Sequence, residues 1–526
     1  MRFMWGMVFS TLVVAVAVAG DQGPERAIHM LAAPVPHPGT AALPRFALFG
    51  WVSPPVEETS PARYAQMADA GFNVSVLAWE DPGTPGFNAL RLHSTPAGFR
   101  NLLLDNRLDR VHPDQPATFA LLDSIVSAYQ GDPGFLGYYL GDEPDAARFP
   151  RLAEWFTLLR DRDPLHPAWN NLFGRTAFGT NSEWLGYLRN YVATVHPAVL
   201  CTDHYDHLTT GDRGQFVESV AGTAQVAREG GLPFWGVLLV TKHLTYRDVD
   251  DGLLRWQVAQ WLSYGARGIG YFTYWTPAPD TEVKWQDGMI RWGTGQPSPH
   301  YARVRDLNRR VRPIGEALAE LAWISSEQSG DVPVGGTPFA PDSLVARLEG
   351  RAALGTFAAS DGTPYLFVAN RDSIATRTLA LEFVGERTAE RMDDAGAWRP
   401  QPSTPTASGR RVELTLAPGD FALLRVSGTC PGARSGTCRA ALTAAPEPAF
   451  GRVRFAATAL AGPAALTVCD VTGRRVWSRA LIGAAPVVEW DGRDDHGQRV
   501  RPGPYWVRVS DSRGSVVRRV TWLGAR

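Results

Sequence analysis

Leu136-Gly137-Tyr138-Tyr139-Leu140-Gly141-Asp142-Glu143-Pro144 is apolar and aromatic over the length of a strand, then stops at two carboxylates and a proline. The aromatic residues favour a pleated, buried surface. Proline ends the run, because it has no N–H to give a ladder. Such a stop has two readings. It is either a capped strand end, with an acid opening the next helix, or a strand that delivers carboxyls to the mouth of a sheet. Working outward, runs of the same kind recur at 46–51, 73–79, 101–108, 135–143, 168–173, 198–204, 233–241 and 268–275. Between them, apolar residues spaced three or four apart mark helices at 61–70, 118–129, 149–160, 184–195, 215–228, 250–264 and 300–321. Eight strands alternating with helices predict an α/β fold, a (β/α)8 TIM barrel. A doubly wound open sheet would want a Gly-rich phosphate turn after an early strand, and the first βα junctions carry none.

A barrel collects its functional groups at the C-terminal ends of its strands, so the residues that close each run become candidates. They are Trp51, then Trp79-Glu80-Asp81, Asp105-Asn106-Arg107, Asp142-Glu143, Asn170-Asn171, Asp203-His204-Tyr205-Asp206, Thr241-Lys242-His243 and Tyr274-Trp275. Loop tips are polar anyway, but carboxylates, amides and aromatic rings converging from most strands describe a cleft for a neutral polar ligand such as a sugar. His204 and His207 beside Asp203 and Asp206 offer no third metal ligand on a shared face. No metal and no cofactor is expected.

The Gly141-Asp142-Glu143-Pro144 stretch resembles the barrel glycoside hydrolases of the large retaining clan, whose general acid/base is a Glu at the end of strand four. Asp203-His204-Tyr205 and the run 264–275 are similar to uncharacterised barrel hydrolases with a Gly-Asp-Glu-Pro motif. The resemblance covers about half of the chain. It implies that Glu143 is the acid/base, its pKa raised by Asp142. It also implies a nucleophilic Glu at the end of strand seven, where this chain reads Val240-Thr241-Lys242-His243. Asp203 and Glu282 are the two candidate replacements, Asp203 preferred because a strand end holds it rigidly. Trp79, Asp105, Asp142, Asn171, His204, Tyr205, Tyr274 and Trp275 are the expected sugar contacts. The expected activity is hydrolysis of O-glycosidic bonds in poly- or oligosaccharides. A barrel that binds carbohydrate without cleaving it, displayed at the cell surface, is the alternative.

The 526 residues are 44% apolar, enough for several cores. With 52 Lys plus Arg against 53 Asp plus Glu, the chain lacks the basic excess that nucleic-acid binding uses. The 18 tryptophans suit both core packing and sugar faces. Residues 1–19 read as a secretory signal peptide ending in Ala17-Val18-Ala19, and no other stretch is expected to span a membrane. Of four cysteines, Cys201 and Cys469 sit in strand-like runs as free thiols, whereas Cys430 and Cys438 flank a Gly/Ser/Arg-rich linker and could bridge.

The expected boundaries are a linker at 20–44, the barrel at 45–324, an all-β sandwich at 331–428, a linker at 429–446 and an all-β module at 447–526. In the last, Val468-Cys469-Asp470-Val471-Thr472-Gly473-Arg474, Trp490-Asp491-Gly492-Arg493-Asp494-Asp495-His496-Gly497 and Pro502-Gly503-Pro504-Tyr505 resemble Ig-like modules of the flagellar-hook-capping type, relatives of type IX sorting domains. That resemblance implies a secreted or cell-surface bacterial protein, with secretion or surface machinery as a partner besides the carbohydrate.

Overall fold

Strands β1 (Ala47–Trp51), β2 (Val74–Glu80), β3 (Arg100–Asp105), β4 (Phe135–Asp142), β5 (Ala168–Asn171), β6 (Leu200–Asp203), β7 (Phe234–Leu239) and β8 (Gly268–Phe272) form one parallel sheet. β8 pairs with both β1 and β7, and β6 pairs with β7. A parallel bridge, Leu172 to Thr202, with Leu172 N–H donating to the Cys201 carbonyl at 3.0 Å, joins β5 to β6 and closes the barrel. The chain is thus a TIM barrel followed by antiparallel all-β sheets. This computed structural model describes residues 38–80, 98–428, 441–445, 449–458, 464–470, 474–481, 487–511 and 514–524.

At β3 and β8 the strand stops where a side chain takes over a backbone N–H. Asp105 caps the 3-10 turn Asn106–Arg110 by accepting from Arg107 N–H at 2.8 Å, which ends β3 before the expected 108. Thr241 Oγ1 accepts Thr273 N–H at 3.1 Å, which ends β8 before the expected 275. Seven helices lie outside the barrel among the described residues: α1 (Pro61–Asp69), α2 (Phe119–Tyr129), α3 (Phe149–Arg162), α4 (Asn181–Val195), α5 (Phe216–Gly230), α6 (Asp251–Ser263) and α7 (Pro299–Ala319). Their starts follow helix chemistry: Ser60 before Pro61, a Thr180–Glu183 capping box, Asp250 and Ser298.

Two layers of core result. The lumen is filled by Phe49, Trp51, Tyr139, Trp169 and Trp235 among smaller aliphatics, with Phe49 and Trp235 rings 5.4 Å apart. Gly270 sits against the Phe49 ring and Gly268 against Trp235, so a side chain at either would displace an aromatic. The second layer lies between strands and helices and continues into the next domain through Phe357, Phe367, Phe421 and Leu423. That domain is ten strands, Ala322–Gln328 to Phe421–Ser427, in a six-stranded and a four-stranded sheet. It is bolted to α6 and α7: Arg255 Nε donates to the Pro418 carbonyl at 2.8 Å, and Arg310 pairs with Asp420 at 2.8 Å. The C-terminal module has seven described strands in sheets of three and four around Trp490 and Trp522. Cys201 is a buried free thiol and Cys469 a half-buried one. The expected signal peptide and the Cys430/Cys438 pair lie outside the described residues.

Candidate active site

β4 does not run straight into its helix. Gly141 takes φ +129° and Glu143 takes φ +42°, a left-handed conformation that costs a non-glycine residue about 1–2 kcal/mol. The kink is held from three sides: Asn170 Nδ2 donates to the Gly141 carbonyl (3.0 Å), Glu143 N–H to the Asn171 carbonyl (2.9 Å) and Tyr187 Oη to the Pro144 carbonyl (2.8 Å). Strain enforced this way aims the Glu143 side chain inward over the lumen.

There it meets Asp203, from the end of β6. Burial pushes the Glu143 pKa far up, and the charges of Asp203 and then Asp142, with a hydrogen bond to Asp203, push the same way. Asp203 is also raised, by burial and by Asp142, against hydrogen bonds from Asn171 and Tyr205 that favour its anion. Asp142 is raised by burial, opposed by the Asn171 amide, which donates to Oδ1 at 3.1 Å, and by the Glu143 N–H. Asp142 is open to solvent and yet ringed by protein atoms, as a residue on a cleft floor is. Each of these carboxyls is raised by burial, and the charges of Asp203 and Asp142 add to the rise at Glu143, which is raised furthest and holds its proton through neutral pH. Asp142 is thus the smaller influence on Glu143; burial and Asp203 outweigh it.

An aromatic wall flanks the acids. Tyr205 stacks on Phe272 (5.8 Å, 29°) and meets Tyr246 edge-on (5.7 Å). His243 lies 4.7 Å from Trp285, which also touches Phe272 at 5.8 Å. Trp285 comes from the loop after β8, so that loop closes this side of the cleft. At the end of β7 stand Thr241, Lys242 and His243, with no carboxyl.

The structure therefore gathers Asp142, Glu143, Asn171, Asp203 and Tyr205, and turns other expected residues away. Asp105 is buried and spent on Arg107 (2.6 Å) and the Tyr129 hydroxyl (2.6 Å). His204 faces α5, packing on Phe216 and reaching Asp206 at 3.2 Å. Tyr274 and Trp275 are buried toward α1, Tyr274 against Phe72 and Trp275 under the Arg63 guanidinium. Glu282 is exposed in a turn capped by Asp280 and is not among the charges that act on Glu143. Trp79 lies in β2, but its side chain is outside the described ones. Sequence reasoning assigned no role to Tyr139, whose pKa is raised by burial and by all three acids beside it, or to Tyr246, which feels Asp203 and Glu143. Tyr139 lies in the apolar run of β4, but the register slip between Tyr139 and Asp142 hides from the sequence that it sits beside the acids.

No protein-family model matches this chain, and no curated protein matches it. Solved structures do. A beta-galactosidase from the psychrophilic Marinomonas ef1 is 11% identical at TM-score 0.40, over 52% of this chain and 62% of that one, so this chain spans less than two thirds of its length. The catalytic domain of GH30 xylanase C from Talaromyces cellulolyticus is 11% identical at TM-score 0.40, over 73% and 97%. Amy13B of Eubacterium rectale is 9% identical at TM-score 0.43, over 75% and 99%. Scores of this size say nothing of what this chain does.

Proposed function

We propose that this chain is a glycoside hydrolase that cleaves O-glycosidic bonds of poly- or oligosaccharides, with Glu143 as general acid/base and Asp203 as its partner. The observation that carries the reading is the Glu143–Asp203 pair: one carboxyl kept protonated by burial and like charge, hydrogen-bonded to another at the mouth of a barrel. Such a pair presents an acid and a base together at neutral pH. Glu143 gives its proton to the glycosidic oxygen as the C1–O bond breaks and the alcohol leaves. Water attacks C1 and passes a proton to the Asp203 carboxylate, and the bond between the two acids returns it to Glu143. Retaining and inverting sites hold their carboxyls about 5–5.5 Å and about 6.5–9.5 Å apart, so the anomer of the product tells which spacing the pair takes around a sugar. Tyr205, Phe272 and Trp285 supply flat faces for the sugar ring.

We also read the protein as exported, through residues 1–19, with the C-terminal module serving sorting or attachment; fractionation with and without those residues tests this. The chemistry is tested by screening the full chain against polysaccharides and aryl glycosides beside Glu143→Gln, with products read by mass and anomer by NMR. Turnover that collapses in the variant supports the reading. Binding without turnover in either protein overturns it in favour of the carbohydrate-binding alternative.

A further inference from the structure

A cavity of about 470 Å³ lies beside the acids, over the ends of β3 and β4, within the range of small-ligand pockets of roughly 300–1,000 Å³. Two of its lining residues adjoin the acids: Tyr139 stands against Asp142, Glu143 and Asp203, and Gly141 precedes Asp142 in the chain. Its opposite wall is the start of α3. Trp155, half-buried, adds an indole to an apolar floor with Leu108 and Leu152.

The charged groups of the lining differ in how far they are committed. Arg151 is neutralised by Asp114 (3.0 Å) and Glu154 (2.7 Å), and Asp105 by Arg107. Arg148 makes no side-chain hydrogen bond or ion pair among the described residues, and no ion pair joins it to Asp109, the other exposed charge of the lining apart from His112. An exposed guanidinium with no ion pair and an indole lining the same cavity together fit a ring that carries a carboxylate: Arg grips that group with two parallel hydrogen bonds while the ring lies on the Trp.

Resting on the glycosidase reading, we propose that this cavity is a sugar subsite that takes a uronic acid unit, with Trp155 as platform and Arg148 as carboxylate clamp. The substrate class is then an acidic oligo- or polysaccharide cleaved next to its uronate.

The test is calorimetric binding to the full chain carrying Glu143→Gln, with glucuronate, galacturonate and mannuronate oligosaccharides, each beside its carboxyl-reduced counterpart, which keeps the ring and removes the charge. The expected result is a preference of about tenfold or more for the acidic form of at least one pair. It weakens with added salt, falls to near unity in Arg148→Ala and recovers in part in Arg148→Lys. Trp155→Ala weakens both forms alike. Equal binding of acidic and reduced forms, binding of neither, or a preference that survives Arg148→Ala overturns the subsite. Because binding is read in a protein that need not turn over, an acid preference without hydrolysis by the parent chain would sink the glycosidase reading alone. Hydrolysis of neutral glycans with no acid preference would sink the subsite alone.

Discussion

Replacing Glu143 by Gln removes one ionisable oxygen while keeping the shape, the left-handed backbone and an amide that can still donate to Asp203. The magnitude follows from linkage. The folded carboxyl keeps its proton through neutral pH, whereas in the unfolded chain it ionises near its ordinary value of about 4.3. A carboxyl whose folded pKa is raised holds more protons folded than unfolded, so stability falls as pH rises from the unfolded value toward the folded one. At 1.36 kcal/mol per unit, the span from about 4.3 to 7 costs the parent chain about 3.7 kcal/mol, trimmed to about 2–3 kcal/mol for partial exposure. Gln does not titrate and escapes this loss. We therefore expect Glu143→Gln to melt with the parent near pH 4 and about 3–5 °C above it at pH 7 by scanning calorimetry, while hydrolysis falls roughly 10²–10⁴-fold. A stability difference that is the same at both pH values, or a variant less stable than the parent at pH 7, would refute the reasoning.

Asp203→Asn should lower kcat by a comparable factor, whereas Glu282→Gln should leave kcat and KM within twofold in the same assay; the reverse ranking would move the second acid to the loop. Asn171→Ala strips Asp142 and Asp203 of a donor that favours their anions, so both pKa values rise and the acidic limb of the pH–rate profile moves up by about one unit. Tyr274→Phe should leave kcat and KM unchanged and hold or raise stability by about 1 kcal/mol, since the Tyr274 hydroxyl is buried with no hydrogen-bond partner among the described residues. Gly252→Ala places a methyl against the Ser373 carbonyl and Pro418 of the second domain and should destabilise by about 1–3 kcal/mol, read as a lower or split melting transition.

The barrel was legible because its strands differ sharply from its helices: β7, Phe234-Trp235-Gly236-Val237-Leu238-Leu239, is buried at every position, while α1 alternates buried Tyr64 and Met67 with exposed residues. Which way a polar residue points was not legible. Asp105, His204, Tyr274 and Trp275 each follow or end a strand as Asp203 does, but alternation sends His204 to the face opposite Asp203, Tyr274 and Trp275 lie past the end of β8 at Phe272, and from β2 to β5 the ladder slips at Val76/Ala78, Asn101/Leu102 and Tyr139/Asp142, which changes which residues face the lumen there. Counting in twos from a strand's apolar run therefore fails just past these points. Tyr274 also lies where β1 offers Gly50, leaving room for a ring on the helix side.

The site and the fold are coupled through what each can tolerate. Holding Glu143 left-handed, with three acids in one group, is unfavourable at every step, and an isolated loop would relax it by turning a carboxyl into water. Here that escape is closed. The Gly141 and Pro144 carbonyls and the Glu143 N–H are each held by a residue of β5 or α4, and those elements are anchored in the same cores that join barrel to sandwich. The large second layer of core offsets the strain, which explains why the acids can stay poised without the strand end unravelling, and why core contacts far from the acids, such as Gly252 on Ser373, belong to the same argument.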